Sequence, residues 1–286
     1  MKRVLILGHT GKMGTAFCSA YAHDHEIVTA NSADFDAADL GQVSEIVEHA
    51  MPDVIINCIA YMGVDACELD PARAFAVNTL FPKYLAEVSG RKGCQLVHLS
   101  TDAVFPDTAE GRCYTEDSFP HPINIYGLTK LEAEHMIQAN SCQYYIFRLS
   151  VLFGPAVKNN QFVEKMLDKA RIGHDVLKIA DDIICTPSYS YDVANCVRTM
   201  TDTKAPFGLY HLVNQGQSSL YGLVKEMIDC LGWTVVIEPA SYRDFPHTGN
   251  KNICVPIVSS KIPPLRCWRE AAKEYCQQYG LPRRDL

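Results

Sequence analysis

The chain has 286 residues, and its 48% hydrophobic content can fill the core of one large domain or two ordinary ones. Its net charge of −7 and isoelectric point near 5.8 exclude the broad cationic surface that nucleic-acid-binding and membrane-surface proteins need. The apolar run at 4–7 breaks at Gly8, too early for a signal peptide, and no run has the length of a membrane span. We therefore expect a cytoplasmic protein.

The cysteine pattern predicts free thiols. Twelve cysteines are present, but none forms a C-x-x-C pair, and the ten histidines have no metal-ligand spacing. Several cysteines fall in apolar strand-like or helix-like runs, where a free thiol behaves as a small hydrophobe. We expect neither a disulfide framework nor a metal site.

The first half of the chain alternates short apolar strands with helices. This order predicts βαβ units and a doubly wound parallel Rossmann sheet of the α/β class. Strands are predicted at 2–7, 26–30, 53–59, 95–100 and 144–149, and helices at 15–21, 41–50, 72–89 and 126–139.

After Gly154 the alternation is less regular, and helices are predicted at 162–171, 190–200 and 221–231. We predict a dinucleotide-binding domain over 1–154, to which 186–214 returns. A smaller discontinuous α/β substrate lobe is predicted over 155–185 and 215–286. The crevice between the two lobes is the expected ligand site.

A glycine turn follows the first strand and opens the first helix. Gly8, Gly11 and Gly14 stand three residues apart, which is typical of turns that let backbone amides approach a pyrophosphate at a helix amino end. A glycine turn without a ligand is the alternative. Its position between a strand and a helix favours a dinucleotide site.

The second strand ends without the acid that holds the ribose hydroxyls in most NAD sites. The sequence there reads Asn31-Ser32, so no carboxylate would repel a 2′-phosphate, and no arginine stands there to bind one. The cofactor can be NADP or NAD, and the missing acid favours NADP.

Two polar stretches predict a reaction centre. Thr101 and Asp102 end the strand at 95–100, where side chains reach the crevice, although such residues are also common caps. Tyr126 and Lys130 lie four residues apart and so share one helical face. An ammonium near a phenol lowers the pKa of the phenol, which makes it a usable proton donor or acceptor.

Taken together, these stretches resemble the extended short-chain dehydrogenase/reductases, and within them the dTDP-4-dehydrorhamnose reductase group. The likeness covers nearly the full length of the chain. Its motifs are the glycine turn, Pro52–Tyr61 with Val64-Asp65, Asn78, Ser100–Phe105, Tyr126–Lys130, Phe147–Ser150, Thr186-Pro187, Asp192–Ala194 and Tyr210–Val213 with Gly216.

The resemblance implies roles for individual residues. Tyr126 would be the general acid, Thr101 would bind the same carbonyl oxygen, and Lys130 would hold the nicotinamide ribose. The substrate would be a keto group on a nucleotide-activated deoxysugar, contacted by Asp102, Val104 and Val151. Cofactor contacts would come from Gly8, Thr10, Gly11, Lys12, Met13, Gly14, Asp39, Leu40, Ile59, Ala60, Tyr61 and Asn78, in addition to Tyr126 and Lys130.

The substrate half of the family pattern is less complete than the cofactor half. Ala103 stands where the group has a tyrosine, and Val151 replaces a tryptophan. The segment that meets the substrate nucleotide begins at Val255, without its arginine. Four basic residues stand late in the chain, and such residues usually lie on the solvated surface. One of them is a candidate to bind a substrate phosphate: Lys251, Lys261, Arg266 or Arg269.

Two alternatives remain open at this stage. One is a sugar-nucleotide epimerase or dehydratase of the same fold, against which Ala103 counts because a dehydratase needs an acid there. The other is a nucleotide-binding protein without turnover, like the methionine adenosyltransferase regulatory subunit. We expect a small-molecule partner, no nucleic acid and no membrane, and the sequence leaves a homodimer possible.

Overall fold

The computed structural model describes residues 1–109, 112–158, 161–172 and 176–279. The predicted substrate lobe also includes 159–160, 173–175 and 280–286, which lie outside the described residues. In chain order, the described strands are β1 (Arg3–Leu7), β2 (Glu26–Ala30), β3 (Val54–Asn57), β4 (Gln95–Thr101), β5 (Tyr144–Leu149), β6 (Leu152–Phe153), β7 (Val176–Ala180), β8 (Ile184–Cys185), β9 (Ser188–Tyr189), β10 (Gly208–His211), β11 (Asn214–Gln215), β12 (Ser218–Ser219), β13 (Val236–Ala240) and β14 (Leu265–Cys267).

Ten α-helices accompany these strands in the described part of the chain. A π-helical turn over Ala76–Leu80 joins the fourth helix to the fifth, and 3₁₀ turns lie at Asp102–Val104 and Tyr242–Asp244. The helices are α1 (Lys12–Tyr21), α2 (Leu40–Ala50), α3 (Val64–Leu69), α4 (Pro71–Phe75), α5 (Phe81–Lys92), α6 (Ile125–Asn140), α7 (Phe162–Arg171), α8 (Ser190–Thr203), α9 (Leu220–Leu231) and α10 (Trp268–Tyr279).

The main sheet has the strand order β10-β5-β4-β3-β1-β2, and all of its pairs are parallel. One face packs on α1 and α8, and the other packs on α2, α5 and α6. Strands β1 and β3 are almost wholly buried, as expected for strands covered on both sides. The predicted doubly wound Rossmann sheet is confirmed.

The predicted elements of the first half agree closely with the structure, and four differences exceed one residue. The predicted strand at 53–59 ends at Asn57. The predicted helix at 72–89 is interrupted by the π turn and continues to Lys92. The first helix begins at Lys12 rather than at residue 15, so Gly14 lies within it. Sequence analysis did not predict α3, whose six residues are too few for a clear helical period.

A second hydrophobic cluster lies outside the main sheet. It joins α7, α9 and α10 to the parallel pair β7–β13, with the fully buried Trp268 among its largest side chains. The segment between these pieces runs back to the main sheet, where α8 covers one face and β10 pairs with β5. Residues at the carboxyl ends of β3 and β4 share one cavity with Val151 and Phe162, which pack against the second cluster.

A buried ion pair connects the glycine turn to this second cluster. The Nζ atom of Lys12, at the start of α1, lies 2.8 Å from Oε2 of Glu164 on α7 and 2.7 Å from the carbonyl oxygen of Leu152. The Lys12 side chain is 2% exposed and that of Glu164 is 0% exposed. Removing one member of such a pair leaves an uncompensated charge in the interior.

We predict that Glu164→Ala lowers the free energy of unfolding by about 3 kcal/mol, because the Lys12 ammonium then loses its buried counter-ion. Urea denaturation followed by circular dichroism measures the change. The matched control is Asp229→Ala, which breaks the exposed pair with Lys225 and should cost less than about 1 kcal/mol. Equal losses in the two variants would show that the buried pair does not stabilise the fold.

Candidate active site

The glycine turn leaves the amino end of α1 open. Gly8 has a φ of +84°, in the left-handed region that favours glycine, and Gly11 caps the helix without a side-chain hydrogen bond. A Cβ atom on Gly14 would lie 2.3 Å from the Gly8 carbonyl oxygen and 2.5 Å from the His9 Cα atom. This close packing, together with the uncapped N–H groups of the first turn, fits the pyrophosphate of a dinucleotide.

One cavity of about 990 Å³ begins at this turn and runs along the carboxyl ends of β3 and β4 to the second cluster. Such a volume is at the upper end of the range for small-molecule sites. Of the residues predicted to bind cofactor, those that line the cavity are Gly8, Thr10, Gly11, Lys12, Met13, Gly14, Ile59, Ala60, Tyr61, Tyr126 and Lys130.

Lys12 lines the cavity, but its ammonium group does not point to the glycine turn. The buried pair with Glu164 holds that group, and burial lowers the pKa of Lys12 while Glu164 raises it. Any contact of Lys12 with a pyrophosphate would therefore come from its main chain.

The predicted adenine contact at Asp39 and Leu40 stays a prediction, and the structure gives the Asp39 side chain a local role. Asp39 caps α2, and its Oδ1 atom accepts hydrogen bonds from the backbone N–H groups of Gly41 and Gln42. Neither Asp39 nor Leu40 is among the residues that line the cavity, which is formed here by 35–37. An Asp before a helix is a common cap, so any cofactor contact at this position would come from the main chain.

The side chain of Asn78 supports the cavity wall without lining the cavity, and its cofactor contact stays a prediction. Its side chain is fully buried in the π turn. The amide accepts from the N–H of Tyr61 at 2.8 Å and donates to the carbonyl oxygen of Tyr61 at 3.0 Å and to Thr129 at 3.1 Å. Asn78 therefore fixes the loop that places Tyr61.

Thr101 and Tyr126 meet in the cavity from different elements. Thr101 ends β4, and Tyr126 stands in the first turn of α6, which Asn124 caps by accepting from the N–H of Gly127 at 2.8 Å. Both side chains line the cavity, and the Thr101 hydroxyl is close enough to lower the pKa of Tyr126 against the effect of burial. A Cβ atom on Gly127 would lie 2.2 Å from the Ala103 carbonyl oxygen, so only glycine permits this approach.

The pKa of Tyr126 is raised rather than lowered. Burial is the largest cause, the Asp102 carboxylate adds to it, and the hydrogen bond with Thr101 opposes it. The sequence-based expectation of a lowered pKa is therefore wrong for this arrangement. At neutral pH the phenol keeps its proton, which is the form that a proton donor needs.

Lys130 is 2% exposed, and its side chain extends from α6 toward β4 of the main sheet. Its Nζ atom lies 2.9 Å from Nε2 of His98 and donates to the carbonyl oxygen of Leu99 at 2.6 Å. Burial lowers the pKa of Lys130 to about 8, against the opposing charge of Glu134. These partners explain why the ammonium does not dominate the pKa of Tyr126.

Of the predicted substrate residues, two line the cavity and one does not. The Oγ1 atom of Thr101 donates to Oδ1 of Asp102 at 3.1 Å. Burial raises the pKa of Asp102 to about 6, and hydrogen bonds from Ser150 and Thr101 oppose this rise. Val151 also lines the cavity. The side chain of Val104 is fully buried in a cluster with Phe105 and Leu131, and its substrate contact stays a prediction.

Among the late basic residues, Lys251 alone is found in the cavity wall. Its Nζ atom lies 3.3 Å from the Asp65 carboxylate. The other three bind within the protein: Lys261 to the carbonyl oxygen of Leu209, Arg266 to Asp192, and Arg269 to Glu226.

Sequence analysis missed a further arginine in the cavity. Arg73 on α4 lines the wall near Asn31 and Ser32, and its two Nη atoms lie 3.0 and 2.7 Å from the carboxylate oxygens of Asp36. A cationic group for a 2′-phosphate is expected at the end of β2, whereas Arg73 lies about 40 residues further along the chain and reaches this region only through the fold. The sequence shows both Arg73 and Asp36, but not that the fold brings them together.

Comparison with known proteins decides the family. Residues 1–280 match the RmlD substrate binding domain. The chain belongs to this family. Its resemblance to the extended short-chain dehydrogenase/reductases is thereby confirmed.

Three relatives of the RmlD family show the extent of the similarity. The spore coat polysaccharide biosynthesis protein SpsK of Bacillus subtilis is 31% identical over 97% of this chain and 98% of its own length. The dTDP-4-dehydrorhamnose reductase of Aggregatibacter actinomycetemcomitans is 31% identical over 80% of this chain and 79% of its own. The Bacillus anthracis dTDP-4-dehydrorhamnose reductase in complex with NADP is 25% identical, covers 97% of this chain and 99% of its own, and superposes with a TM-score of 0.90.

We predict that Gly14→Ala weakens NADPH binding by about tenfold or more, because the new methyl group overlaps the Gly8 carbonyl and forces the turn to move. Isothermal titration calorimetry measures the affinity. In the control Gly41→Ala, the new Cβ meets only the flexible Asp39 carboxylate at 3.2 Å, and affinity should be unchanged. Wild-type affinity in Gly14→Ala would contradict the placement of the pyrophosphate.

Proposed function

We propose that this protein is an NAD(P)H-dependent reductase of a keto group on a nucleotide-activated deoxysugar. The observation that supports it most is one continuous cavity that joins the open end of α1 to the side chains of Thr101 and Tyr126. A reduced nicotinamide supplies hydride, and Tyr126 supplies a proton. Both are needed at one carbonyl group, and the cavity gives them a common space.

Each member of the proposed catalytic set has one role. Tyr126 donates its phenolic proton to the carbonyl oxygen as the alcohol forms. Thr101 orients that phenol and binds the same oxygen, which stabilises its developing negative charge. Lys130 holds the ribose of the cofactor and adds positive charge to the centre.

NADPH is the reductant that we propose as preferred. The cavity near the end of β2 is lined by Asn31 and Ser32, which bring no carboxylate against a 2′-phosphate. The nearby Asp36 carboxylate is neutralised by Arg73. The NADP complex of the Bacillus anthracis relative supports the same choice.

The substrate class follows from the named relatives and from the cavity. Reductases of dTDP-4-dehydrorhamnose resemble this chain over most of its length. Lys251 lies in the cavity wall and offers a cation to a substrate phosphate. Ala103 occupies the position at which a dehydratase would need an acid, which favours reduction over dehydration.

The cellular setting belongs to the same proposal. In the part of the chain that the structure describes, no helix combines the length and apolarity needed to cross a bilayer. We propose a cytoplasmic enzyme that binds small molecules and no nucleic acid, and that forms a homodimer. Light scattering after size-exclusion chromatography measures the assembly.

The reaction is tested by following NADPH absorbance at 340 nm on addition of a dTDP-linked 4-keto-6-deoxysugar, with UDP-linked and GDP-linked keto sugars alongside. Consumption of NADPH with one of these substrates, and the matching alcohol as product, is the expected result. Tight NADPH binding without turnover across the panel would favour the alternative of a regulatory nucleotide-binding protein.

We predict that Tyr126→Phe lowers kcat by ~10²-fold or more while the affinity for NADPH stays within about twofold, because only the general acid is lost. Steady-state kinetics and calorimetry measure the two quantities. The control is Tyr114→Phe, which changes a phenol that binds the Pro106 carbonyl away from the cavity. Wild-type turnover in Tyr126→Phe would remove Tyr126 from the mechanism.

A further inference from the structure

His98 lies in the middle of β4 with both ring nitrogens engaged. Its side chain is 0% exposed, between β3 and α6. Nδ1 lies 3.2 Å from Nδ2 of Asn57, and Nε2 lies 2.9 Å from Nζ of Lys130. A neutral imidazole has one N–H group and one acceptor nitrogen, so these contacts constrain each other.

The orientation of Asn57 decides the tautomer of His98. The Oδ1 atom of Asn57 accepts from the backbone N–H of Ile59 at 3.0 Å. The amide is therefore fixed with its NH₂ group toward His98, where it donates to Nδ1. With Nδ1 as acceptor, the single ring proton of His98 must be on Nε2.

The Nε2–H group then faces the Nζ atom of Lys130. An ammonium group has three N–H bonds and no lone pair, so it cannot accept this hydrogen bond. A neutral amine accepts it with its lone pair and still donates to the Leu99 carbonyl oxygen at 2.6 Å. The network is fully paired only when Lys130 is neutral.

We propose that His98, locked in one tautomer by Asn57, is a positioning residue that directs an N–H group at Lys130 and disfavours its ammonium form. Protonation of Lys130 would require His98 to move its proton to Nδ1, against the NH₂ group of Asn57. The charge of Lys130 is therefore coupled to a hydrogen-bond chain that ends on β3.

The surroundings of Lys130 also disfavour its ammonium form. Burial lowers the pKa of Lys130 to about 8, and it lowers the pKa of His98 well below its ordinary value, which keeps the imidazole neutral. The opposing charge is Glu134 on the same helix, and a bidentate pair with Arg148 on β5 neutralises it at 2.9 and 2.6 Å. Tyr126, one turn earlier, keeps its proton.

The consequence for turnover rests on the proposed function. The folded pKa of Lys130 is depressed, so its ammonium is present below about pH 8 and is lost as the pH rises through that value. The positive charge that favours the phenolate of Tyr126 would then disappear within the working pH range. His98 would set the alkaline limit of the reaction.

The test follows Lys130 directly in protein labelled with ¹³C at lysine Cε, and Lys130→Met identifies its signal. The NMR titration of the full chain needs neither cofactor nor substrate. In His98→Gln the amide oxygen can accept from an ammonium, and in Asn57→Asp the carboxylate can accept from Nδ1–H. Both variants should raise the titration midpoint of Lys130 by about one pH unit or more.

The control is Leu96→Val, a change on the same strand at a buried position that contributes no polar group to the network. Its midpoint should equal that of the wild-type protein. The pH profile of kcat/KM provides a second readout, and its alkaline limb should move upward in His98→Gln but not in Leu96→Val.

Three results would overturn the inference: a wild-type midpoint near the ordinary lysine value of about 10.4, or an unchanged midpoint in both network variants, or equal shifts in Leu96→Val. If His98→Gln does not fold, Asn57→Asp decides alone. Failure of the reductase assay would leave the titration result intact, so the two proposals can be separated.

Discussion

The active centre depends on the burial of charged side chains on the inner face of α6. Lys130 and Glu134 both point into the sheet and are almost completely excluded from water. Such groups are stable inside a protein only when every charge and N–H group is paired. Strands β4 and β5 supply the partners His98 and Arg148, so α6 can dock on the sheet in one register only.

This register determines the position of the proposed proton donor. When Lys130 and Glu134 are held by the strands, Tyr126 is carried to the carboxyl end of β4, where Thr101 lies. The helix begins where it does because Asn124 caps it. The amide of Asn124 also donates to the 250–252 loop, at 2.9 Å to the Asn250 carbonyl oxygen. The same few bonds thus align the helix with the sheet and with the far wall of the cavity.

The sequence predicted the parts of the fold that depend on local pattern. Strands β2 and β5 and helix α7 have the predicted bounds, because β-branched and aromatic residues define the two strands and a strong helical period defines the helix. The short strands after β5 were not predicted. Several have only two residues, and their pairing depends on contacts between distant segments.

The parts of the candidate site that depend on local pattern were predictable too. The glycine turn and the cluster of Thr101, Asp102 and Tyr126 lie together, since each follows from a strand end or a helix start. The capping role of Asp39 was not predicted, because a cap and a ligand residue look alike in sequence. The raised pKa of Tyr126 could not be foreseen, since it depends on burial and on the partners that hold Lys130 inside the protein.

A buried phenol with a raised pKa suits one direction of the reaction better than the other. Reduction of a carbonyl group needs a proton that is already on the donor, and Tyr126 holds its proton across the neutral range. Oxidation would need the phenolate, which burial and the Asp102 carboxylate both oppose. A positive charge on Lys130 stabilises the phenolate that forms as Tyr126 gives up this proton, so it assists the reduction in the pH range in which Lys130 is charged. The electrostatics of α6 and β4 therefore favour a reductase over a dehydrogenase.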